Sequence, residues 1–100
     1  MTSDEAKKLE FPDTVYVEEE LVEPFVMVVI GYLAGIILGA EVSEGKPRRW
    51  CFPVDARKVS HDGAKKLAGL DPVDSWLFDL TIKWEAQERK FQQERKELNG

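Results

Sequence analysis

From Phe25 to Ala40 the chain runs without a single charge, inside the stretch PFVMVVIGYLAGIILGAEV at positions 24–42. A run this long and apolar must be removed from water in any stable fold, so it fixes where the interior lies. As a helix, sixteen residues cover about 24 Å at 1.5 Å per residue. A bilayer core is about 30 Å thick and calls for about 20 apolar residues. The run is short for a span. Glu23 and Glu41 bracket it tightly, and glutamate cannot extend to the interface as lysine and arginine do. The expectation is a buried central helix over 25–42. A small single-span membrane protein is the alternative.

Gly31, Gly35 and Gly39 recur at a spacing of four within the run. On a helix they form one smooth stripe that lets a second backbone approach closely. In lipid such a stripe is a dimerisation face, and in water it serves equally where helices cross. Three glycines cost about 1 kcal/mol each in helix propensity, which close packing would have to offset. The stripe is read either as a helix-packing or homo-oligomer face, or as a reduction of bulk in a crowded core.

The remaining elements follow from local signals. Val15 and Val17 alternate with Thr14 and Tyr16, as in a short extended piece, yet Thr14 is also a helix cap. A helix over 15–23 is preferred, with Pro24 near the start of the next one. Over 43–60, Gly45 and Pro47 break any helix, and Trp50, Cys51 and Phe52 are read as a plug pinning this connection to the core. Ser60 caps a short helix over 61–68 that Gly69 ends. Asp71, Pro72 and Asp74 open a long helix over 72–97. Along it Leu77, Leu80, Trp84, Phe91 and Leu98 follow a heptad-like seam, interrupted by Gln87 and Glu94 and widened at its start by Trp76. The expected fold is all-α: a small single-domain helical bundle over 1–100 around the glycine-striped helix, with residues 1–13 as a flexible or adaptable lead-in.

Charge then narrows the function. The formal net charge is -5, and residues 1–23 carry eight acids against two bases. Such a chain is poorly suited to a phosphate backbone and better suited to a protein partner with a basic surface. The three bases of GKPRRW are opposed by flanking acids, so nucleic acid is disfavoured. No cofactor motif is present, and no catalytic set assembles. Cys51, Asp55 and His61 match no metal-ligand spacing, and Cys51 with His61 is a poor nucleophile–base pair across a helix break. The single cysteine allows no internal disulfide and suits a reducing compartment. The leading MTSDEAKKLEF lacks the apolar segment of a secretory signal, so a cytoplasmic location is expected. What remains is a non-enzymatic interaction protein. Its contact candidates are Glu18, Glu19 and Glu20, then Trp84, Phe91 and Arg95, since acids suit a basic partner and large apolar residues dominate binding hot spots.

The pairing of GYLAG at 31–35 with CFP at 51–53 resembles the small helical immunity proteins of the Rap1a/Tai type, over residues 25–90. The resemblance implies an early helix carrying the Gly-Tyr, a Cys-x-Pro turn and two further helices. It also implies a protein that neutralises a cognate effector. Phage and bacterial inhibitors of host defence, anti-CRISPR proteins among them, are small proteins of the same general kind.

Overall fold

Seven of the nineteen residues in the apolar stretch are β-branched: Val26, Val28, Val29, Ile30, Ile36, Ile37 and Val42. Such side chains crowd the preceding turn of a helix and pack well on a pleated surface. The computed structural model accordingly folds the stretch as a β-hairpin. It describes residues 1–42 and 48–99, the side chains of residues 48 and 97–99 excepted. The elements are α1 (Ser3–Lys7), β1 (Thr14–Glu19), β2 (Val22–Leu33), β3 (Ile36–Glu41), β4 (Arg48–Cys51), a 3-10 turn (Pro53–Asp55), β5 (Ala56–Val59), α2 (His61–Leu67) and α3 (Pro72–Asn99). The strands form one antiparallel sheet in the order β4-β3-β2-β1-β5.

The all-α expectation is therefore overturned: the fold is α+β. The helices expected over 15–23 and 25–42 are β1, β2 and β3. Gly45 and Pro47, expected to break a helix, lie outside the described residues. No helix among the described residues is long and apolar enough to cross a membrane. The two C-terminal helices form close to where local signals place them, as α2 and α3.

The chain falls into two compact units, Met1–Leu70 and Asp71–Gly100. In the first, strand register sorts side chains onto two faces. Val15 pairs with Met27, Val17 with Phe25 and Ala56, Val29 with Gly39, and Ile37 with Cys51. These residues share one face, where nearly all are buried and form the core with Ala6 and Leu9. The opposite face carries Tyr16, Val26, Val28, Leu38 and Trp50. It is apolar too: Val26 is buried, Val28 and Leu38 are half-buried. Two apolar faces erase the alternation by which a strand is ordinarily recognised.

Two irregularities let β2 accept its sequence. Between Val17↔Phe25 and Glu19↔Val22 the register gains one residue on β2, and Pro24 lies in that extra span. A bulge is one of the few places in a sheet that tolerate a missing N–H. A second register shift falls between Val29 and Gly31. The β2–β3 turn is Ala34-Gly35, with φ of 52° and 83°. Positive φ at both central positions is the mark of a type I′ hairpin turn.

Residues 1–13 hold α1, capped by a reciprocal pair: Thr2 accepts from the Glu5 N–H, and Glu5 accepts from the Thr2 N–H. The amino group of Met1 donates to the carbonyls of Pro53 and Ala56, both at 2.9 Å. Ser60 caps α2 by accepting from the Gly63 N–H at 3.0 Å. Leu70 and Gly69 close the other end by donating to Lys65 and Lys66, with Gly69 at φ 68°. In the second unit Asp71 accepts from the Asp74 N–H at 2.8 Å, capping α3 as its sequence suggested.

Candidate functional site

The structure places the expected contact residues on two separate elements. Glu18 and Glu19 end β1, and Glu20 begins its turn into β2. Trp84, Phe91 and Arg95 lie along α3, all exposed. Gly31, Gly35 and Gly39 do not form a stripe. Gly31 is in β2, Gly35 in the hairpin turn and Gly39 in β3, so the expected helix-packing face is absent.

The β1–β2 turn is the more distinctive of the two elements. The segment EEELVE over 18–23 sets four carboxylates around Leu21, which is 97 % exposed. Among the described residues none of the four carboxylates has a cationic partner. Glu18, Glu20, Val22 and Glu23 are exposed, and Glu19 is half-buried. Leu21 was not among the residues expected from the sequence. Its signal is visible in retrospect: a bulky apolar residue at the centre of an acidic turn contributes nothing to the core.

The other chemistry-bearing residues serve the fold. Cys51 is fully buried, and burial pushes its thiol up to about 11, with Glu19 and Asp55 reinforcing the shift. A thiol so held is protonated at neutral pH and inert as a nucleophile. His61 opens α2 with its Nε2 2.8 Å from the Pro12 carbonyl. No group of three potential ligands that could hold a metal is found among the described residues. Arg49 lies 3.6 Å from the centroid of the Phe25 ring and 3.2 Å from Glu41, contacts that tie the edge strand β4 to β2 and β3. Lys46, the first base of the expected basic cluster, lies outside the described residues.

The aromatic plug divides. Cys51 is buried as expected, whereas Trp50 and Phe52 are each about half exposed and meet edge to face at 5.3 Å. They point away from the core face because they alternate with Cys51 along the strand direction.

The resemblance drawn from GYLAG and CFP implied a helix at Gly31–Gly35, and that segment is the end of β2 and its turn. No family model matches the chain, and no curated protein or solved structure matches it.

Proposed function

We propose that this protein is a non-enzymatic, acidic interaction protein that neutralises a partner by occupying a basic surface. The observation carrying this reading is the β1–β2 turn, where Leu21 stands 97 % exposed among Glu18, Glu19, Glu20 and Glu23. Clustered carboxylates raise the encounter rate with a basic surface, and a central apolar side chain supplies the desolvated anchor. A cytoplasmic setting belongs to the same proposal, in keeping with the free, buried Cys51.

The test compares wild type with Glu18→Lys/Glu20→Lys and with Leu21→Asp. Glu19 is left intact because it is half-buried and acts on Cys51. Each form is immobilised and challenged with the soluble proteins of its own host at low salt. A single partner should be retained by wild type, released by rising salt, and lost from both variants. Equal retention by all three forms would remove the turn from the interface and end this reading.

A further inference from the structure

We draw no further inference here: the strongest candidate, the stripe of exposed apolar residues along α3 at Val73, Leu77, Trp84 and Phe91, carries nothing because nothing in the structure shows what covers it.

Discussion

Replacing Gly39 with alanine puts a methyl group where β3 has no room for one. A Cβ at this position would lie 2.6 Å from the Val28 carbonyl oxygen, 2.7 Å from Met27 Sδ and 2.9 Å from Met27 Cγ. Unstrained heavy-atom contacts begin near 3.5 Å, so each approach is deep in the repulsive wall. The Met27 thioether can swing aside, but Met27 is fully buried and has little space to enter. The Val28 oxygen belongs to the neighbouring strand and can retreat only if β2 and β3 separate. Overpacking of this kind costs about 1–3 kcal/mol. In a domain of about 70 residues each kcal/mol lowers the melting temperature by about 4–8 °C. Thermal melting by circular dichroism, with amide exchange of β2 and β3 as the local readout, measures it. Gly31→Ala is the control, since nothing lies within 4 Å of a Cβ there, and it should be neutral or stabilising by a few tenths of a kcal/mol. A Gly39→Ala protein melting with wild type would refute the packing argument. Equal losses at both positions would refute the distinction between a crowded and an open glycine.

Other substitutions probe different parts of the sheet. Ala34 holds a φ of 52° in the β2–β3 turn, so Ala34→Asn should stabilise by about 0.5–1 kcal/mol in urea unfolding, and a destabilised variant would contradict the turn assignment. Arg49→Ala removes a cation from the Phe25 ring and its ion pair with Glu41. About 1–2 kcal/mol should be lost, largely insensitive to salt if the ring contact dominates; no loss would show the contact to be decorative. The Cys51 thiol lies near 9.0 when unfolded and is raised to about 11 in the fold. Between those values the unfolded chain gives up the proton and the folded chain keeps it, so stability is full below the lower value and falls as pH rises toward the upper one. Cys51→Ala should flatten that alkaline slope, and identical slopes for both proteins would disprove the assignment.

The two C-terminal helices were legible because their signals are local. Ser60 and Asp71 accept the N–H groups that their positions suggested, and Gly69 takes the left-handed conformation that ends α2. The sheet was hidden for a physical reason. β2 and β3 are apolar on both faces, so period-two alternation is lost, and glycines spaced by four imitate a helical stripe. The hairpin turn gave little warning, because Ala34 stands where asparagine or aspartate ordinarily marks positive φ. Pro24 read as a helix start because its tolerance in β2 depends on a bulge that only strand pairing creates. β-Branched content was the available clue, and Thr2 with Glu5 was another, being the capping-box spacing that opens α1. Of the candidate site, the acids at 18–20 were visible as charge. The role of Leu21 was not, since exposure belongs to the turn and not to the residue.

The strand order has a consequence for how the chain is made. β1 to β4 form a meander whose neighbours are adjacent in sequence, and they can pair as they leave the ribosome. The far edge of β1 has no such neighbour: Val17 pairs with Ala56, which is synthesised roughly forty residues later, about 2–8 s at ordinary elongation rates. During that interval the edge is an open template for the same strand on an adjacent nascent chain. Glu18, exposed at the end of that strand, puts a charge where edge-to-edge pairing would begin, the placement by which charged residues discourage such pairing. Neutralising the exposed Glu18 would then register as a lower soluble yield from translation, while the melting temperature of the molecules that escape stays where it was.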